Sequence, residues 1–68
     1  MYGQRIKELR EERGWSQAKL AERMNCVQKT ISRYELEQAD LGTEVLLKFC
    51  EVFETSSDYI LGIEGKYR

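Results

Sequence analysis

Apolar side chains recur along this chain at the three- and four-residue steps that place them on one face of a helix. Ile6 and Leu9 form the first such pair, and Leu20, Ala21 and Met24 form the next face. Val27, Ile31 and Tyr34 follow, then Leu46, Phe49, Cys50 and Phe53. No segment alternates apolar with polar residues as a half-buried strand does, and the chain has no Pro. The pattern predicts an all-α fold, a compact bundle of five short helices.

Local signals mark where those helices start and stop. The first is expected from about Gly3 to Arg13, with Gly14 as its left-handed stop. Ser16 suits the N-cap of a helix running Gln17 to Met24, because its hydroxyl accepts from the free N–H groups of the first turn. Asn25 follows, the non-glycine residue that most easily accepts a left-handed backbone, so the chain is expected to turn at Asn25 and Cys26. In the third helix Val27, Ile31 and Tyr34 turn inward. At about 100° per residue, Gln28, Lys29, Ser32 and Arg33 face the other way. Leu36 to Gly42 reads as a loop, and Thr43 as the N-cap of a fourth helix through Phe53. Ser57 is the expected cap of a short fifth helix from Asp58, where a carboxylate suits the positive end of the helix dipole.

The chain has 68 residues, and a chain of this size buries only about 60% of its unfolded surface. It is therefore expected to be a single domain, 1–68, with its core in 3–62 and a short tail in 63–68. The outward face of the third helix carries side-chain types that can read base edges. Gln pairs with adenine N6 and N7, and Arg or Lys with guanine O6 and N7.

The string S-Q-x-x-L-A-x-x-M-N-x-V-Q-x-T-I-S-R-Y-E from Ser16 to Glu35 resembles the phage repressor and Cro type of helix-turn-helix regulators, the xenobiotic-response-element-like family. Outside it, R-I-K-E-L-R-E-E-R-G from Arg5 to Gly14 is similar to that family's first helix. The segments L-L-K-F-C-E-V-F and S-x-D-Y-I-L-G are similar to its last two. The likeness covers Arg5 to Gly62, five helices in register, which is far more specific than a helix-turn-helix pattern alone.

The resemblance implies a lambda-repressor-like fold and sequence-specific binding of double-stranded DNA through the third helix. It makes Gln28 and Lys29 the leading candidates for base contact, with Ser32 and Arg33 one turn on, and Thr30 at the edge of the buried side. Gln17, with Ser16, is implied to touch the DNA backbone and to brace the recognition helix. Arg10 and Glu35 are implied to form an ion pair between the first and third helices, and Arg10 also to reach a phosphate. Removing one partner of a deeply buried pair costs about 3 to 5 kcal/mol. Such domains act in pairs, so a homodimer on a pseudo-palindrome is expected, with half-sites about 34 Å apart. Its contact is sought in the tail 63–68, with Leu41 and Tyr59.

Two residue choices depart from the family. Val27 stands where relatives often place a Ser or Thr cap, so a capping bond worth about 1 kcal/mol is missing. The loop Leu36 to Gly42 is acidic where many relatives carry Lys or Arg, so one set of phosphate contacts is expected to be lost.

The net charge is −1, unusual for a DNA-binding domain. It divides unevenly. Residues 1–33 hold eight basic and four acidic residues, a balance of +4, and residues 34–68 hold three basic and eight acidic, a balance of −5. A positive half bearing the two-helix unit is oriented toward phosphate, while the negative half supports the alternative of a protein-interaction module, of antitoxin or anti-regulator type, that keeps the fold.

Cys26 and Cys50 are expected to be free thiols, since the chain has no CxxC and no His. No metal site, cofactor, small-molecule ligand or catalytic residue is expected, so the reading is non-enzymatic. With no apolar run of about 18 residues and no basic-then-apolar leader, a cytoplasmic location is expected. With one domain only, repression by steric occlusion is expected over activation.

Overall fold

Among the described residues five helices form in the expected order: α1 Tyr2–Glu12, α2 Gln17–Met24, α3 Gln28–Glu35, α4 Thr43–Phe53 and α5 Ser57–Leu61. The structure is a computed structural model that describes residues 1–62, and the tail in which a dimer contact was sought lies outside the described residues. No strand occurs among the described residues, so the fold is all-α.

Four of the helices end in one way. The residue beyond the helix turns left-handed, and its N–H and the next one reach back to the last free carbonyls. Gly14 (φ 70°) and Trp15 close α1, and Asn25 (φ 59°) and Cys26 close α2. Glu37 (φ 58°) with Gln38 closes α3, and Glu54 (φ 52°) with Thr55 closes α4. Gly and Asn advertise this geometry in the sequence. The two glutamates do not.

Helix starts correct three expectations for one shared reason: an N-cap has extended backbone and lies outside the helical rotation. Gly42 (φ −69°, ψ 162°) occupies the cap of α4, so Thr43 is already inside the helix. Ser56 rather than Ser57 caps α5, its hydroxyl accepting from the Tyr59 N–H at 3.1 Å. Val27 (φ −94°, ψ 157°) occupies the cap of α3 with no side-chain bond. Projected as a helical residue it turns inward, but as a cap residue it is 67% exposed and leaves the core.

The core is Ile6, Leu9, Leu20, Ala21, Ile31, Phe49, Phe53 and Ile60. Fully burying each large apolar side chain contributes about 1.5 to 3 kcal/mol. The Phe49 and Phe53 rings lie nearly parallel, 6.1 Å between centroids, and Tyr34 meets Phe49 edge-on at 5.7 Å. Leu46 and Cys50 are half-buried beside them. Helices α2 and α3 pack against each other and α1 packs on α3, while α5 closes against α1 and α4. Arg13 ties α1 to the end of α4 by donating to the Phe53 carbonyl at 2.6 Å and to the Leu9 carbonyl at 3.1 Å.

Candidate nucleic-acid interface

The candidate interface is built from the start of α2 and the start of α3. Ser16 holds the first of these, its Oγ accepting from the Lys19 N–H at 3.0 Å, which leaves Gln17 as the first helical residue of α2. The left-handed Asn25 then reverses the chain tightly enough for α3 to begin at Gln28, three residues later.

A chain of polar side chains connects the interior to that surface. Arg10 Nε donates to Glu35 Oε2 at 2.7 Å and its Nη2 to Oε1 at 3.2 Å, while Nη1 donates to the Trp15 carbonyl at 2.8 Å. The two side chains are only 11% and 5% exposed. The hydrogen bond to Glu35 pushes the Arg10 pKa up, outweighing burial, which acts the other way. Arg10 therefore belongs to the molecule's own frame, with all three guanidinium nitrogens bonded to Glu35 or to the Trp15 carbonyl. Glu35 Oε1 also accepts from Gln17 Nε2 at 3.0 Å, and Gln17 Oε1 accepts from Gln28 Nε2 at 3.4 Å. The chain thus runs from α1 through α3 and α2, and returns to the first residue of α3.

Around it, Gln28, Lys29 and Arg33 are exposed, as is Ser16. Thr30 and Ser32 are half-buried, so of the outward set Ser32 has less reach than its rotation implies. Val27 is the residue that sequence reasoning placed wrongly. It presents an apolar surface directly before Gln28, and the signal available was its position as cap. Of the nearby cations, Lys19 pairs with Glu22 at 3.0 Å, and the Arg23 guanidinium lies 5.1 Å from the Trp15 ring centre.

The acidic loop is tied to the start of α1, which has no cap of its own. Glu37 Oε2 accepts from the Gly3 N–H at 3.2 Å, placing a carboxylate at the positive end of that helix. The Tyr2 hydroxyl donates to the Ala39 carbonyl at 2.6 Å. Burial, then the charges of Glu37 and Asp40, push the Tyr2 pKa up. One of the acidic residues that depart from the family pattern thus has a structural use.

Burial pushes both thiols up, Cys26 and Cys50 alike, which disfavours the thiolate a redox or nucleophilic role requires. Among the described residues no group of His, Cys, Asp or Glu is placed to hold a metal ion, and no helix is long and apolar enough to cross a membrane.

Comparison with known proteins gives one consistent result. A family profile described as helix-turn-helix matches residues 6–60. The chain is 38% identical over 60 residues, 88% of its own length, to the HTH-type transcriptional regulator ImmR of Bacillus subtilis (strain 168), of which it covers 47%. It is 28% identical over 61 residues, 90% of its length, to the SPbeta prophage-derived HTH-type transcriptional regulator YonR of the same organism, covering 56% of it. The chain spans about half the length of these curated relatives. No solved structure matches it significantly.

Proposed function

The chain belongs to the helix-turn-helix family, and on that premise we propose that it binds double-stranded DNA sequence-specifically as a transcriptional regulator, with α3 in the major groove. The observation that carries this reading is the set of three exposed side chains, Gln28, Lys29 and Arg33, on the solvent side of α3. Gln28 supplies the amide pair that adenine accepts, and Lys29 and Arg33 supply donors for guanine or phosphate. Gln17 and Ser16, at the start of α2, fit a phosphate at the helix N-terminus, and Thr30 and Ser32 flank the reading face. Arg10 and Glu35 act by holding α1 and α3 in register.

One recognition helix reads only a few base pairs, so a homodimer on a pseudo-palindromic operator is the assembly that fits, and occupation of such a site excludes other proteins from it. The test is selection of bound duplexes from a random DNA pool at moderate salt, run beside a variant in which Gln28, Lys29 and Arg33 are all Ala. An enriched inverted repeat with half-sites about one turn apart, lost in the variant, is the expected result. No enrichment over the variant would refute DNA reading and turn attention to the acidic second half as a protein-binding surface.

A further inference from the structure

We propose that the outward face of α4 is a contact surface for a second copy of this chain, seated on the Trp15 surface of that copy across a two-fold axis. The inference goes beyond DNA reading and does not depend on it.

Rotation along α4 turns Phe49 and Phe53 inward, and the same rotation gathers Leu47, Glu51 and Glu54 on the opposite, exposed side. Leu47 is 59% exposed, an apolar side chain bordered by carboxylates. Glu54 breaks two local rules at once. It holds a left-handed backbone (φ 52°) where glycine is favoured, and it places a carboxylate at the negative end of α4. Residues that break local rules concentrate where a surface has another use. Among the described residues Glu54 has no ion pair, and Glu51 has only a 3.7 Å pair with Lys48 on its own helix.

The complement lies beside this face. Trp15 is half-buried and stacks on Phe53, 6.0 Å between ring centres. The Arg23 guanidinium lies 5.1 Å from the Trp15 ring centre and that of Arg13 lies 5.8 Å from it. Both arginines are exposed, and neither pairs with a carboxylate among the described residues. The ring holds the two guanidinia in place, so little side-chain freedom is lost when a carboxylate arrives. Phe53 and Glu54 are neighbours in the chain, so the basic and acidic surfaces meet at the end of α4. A two-fold axis at that border lays each copy's carboxylates on the other's arginines and its Leu47 against the other's Trp15. Unlike charges then meet twice. The uneven charge of the whole chain acts in the same sense, +4 in residues 1–33 and −5 in residues 34–68. A standard interface uses roughly 20 to 30 residues a side, more than these surfaces offer, so the association is expected to be weak and reversible.

The test is sedimentation equilibrium of the whole chain without DNA, at about 0.01 M and about 1 M salt, where charges act over about 30 Å and about 3 Å. The unmodified chain is expected to form a reversible dimer at low salt that dissociates at high salt. Three variants are compared, each with its melting temperature measured to establish that it folds. Arg23→Glu, and Glu51→Lys combined with Glu54→Lys, each oppose like charges and are expected to raise the dissociation constant by about tenfold or more. Leu47→Gln leaves the charge alone and removes the apolar anchor, and is also expected to raise it by about tenfold. An equal mixture of the two charge variants is expected to associate more tightly than either alone, because one of its two contacts joins unmodified surfaces. A chain that stays monomeric at low salt up to millimolar concentration overturns the inference. So does a dimer that the variants leave unchanged, which would place the contact elsewhere, or a mixture no tighter than its parts. Each of these outcomes leaves enrichment from a random DNA pool free to succeed, so failure here is distinct from failure of DNA reading.

Discussion

Gly3→Ala sets two physical effects against each other, and the structure decides which wins. In a helix interior, alanine is favoured over glycine by about 1 kcal/mol, because glycine loses more backbone freedom. At Gly3, however, the added Cβ would lie 2.3 Å from the Glu35 carbonyl oxygen and 2.9 Å from its carbon. Both are backbone atoms at the end of α3, and Glu35 is itself held by Arg10 and Gln17, so neither yields by a simple rotation. Overpacking of this kind costs about 1 to 3 kcal/mol. A backbone clash belongs at the upper end of that range, leaving a net destabilisation of about 2 kcal/mol after the helix gain. For a domain of this size that lowers Tm by about 8 to 16 °C. The assay is urea unfolding followed by helical circular dichroism, read as a shift of midpoint at constant slope, with Gly42→Ala as reference. A Cβ at Gly42 meets nothing within 4 Å and the backbone there is ordinary, so that change is expected to cost less than about 1 kcal/mol. A Gly3→Ala protein as stable as the unmodified one, or more so, would refute the close approach of α1 to the end of α3.

Glu54→Gly is expected to stabilise by about 1 kcal/mol, measured in the same unfolding assay, since Glu54 holds a left-handed backbone and places a carboxylate at the negative end of α4. Stability is expected to be full below about pH 9 and to fall as pH rises into the alkaline range, first as Cys26 and Cys50 and then as Tyr2 ionise. All three pKa values are raised in the folded protein, so the unfolded chain releases these protons first. Melting scans from pH 8 to 11 test this, and a Tyr2→Phe protein should lose the part of the decline assigned to the phenol. Binding to DNA is expected to depend on salt more shallowly than a slope of about −5.4, the value for six phosphate contacts. Titrations at several salt concentrations measure it, and a steeper slope would contradict the loss of loop contacts.

The features legible in the sequence are those whose cause is local. A cap forms between residues two or three apart, so Ser16 and Asn25 announced α2 and the turn after it without reference to the rest of the fold. Gly14 announced the end of α1 in the same way. The apolar steps at Ile6, Leu9, Leu20, Ile31, Phe49 and Phe53 named most of the core, because helical rotation turns spacing into direction. Val27 failed for the converse reason. Spacing fixes direction only inside a helix, and Val27 stands one residue outside it.

By itself, then, the sequence determined the number, order and approximate bounds of the helices, and which side of each is apolar, since these follow from neighbours within about one turn. The tertiary structure alone decided what depends on residues far apart in the chain. It brought Glu37 to the uncapped start of α1, 34 positions away, and pressed Gly3 against the Glu35 backbone. It also linked Glu35 through Gln17 to Gln28, residues from two helices whose hydrogen bonds exist only once α2 and α3 are packed. The direction of a side-chain amide is set by the partner that reaches it, and that partner is chosen by how the helices pack.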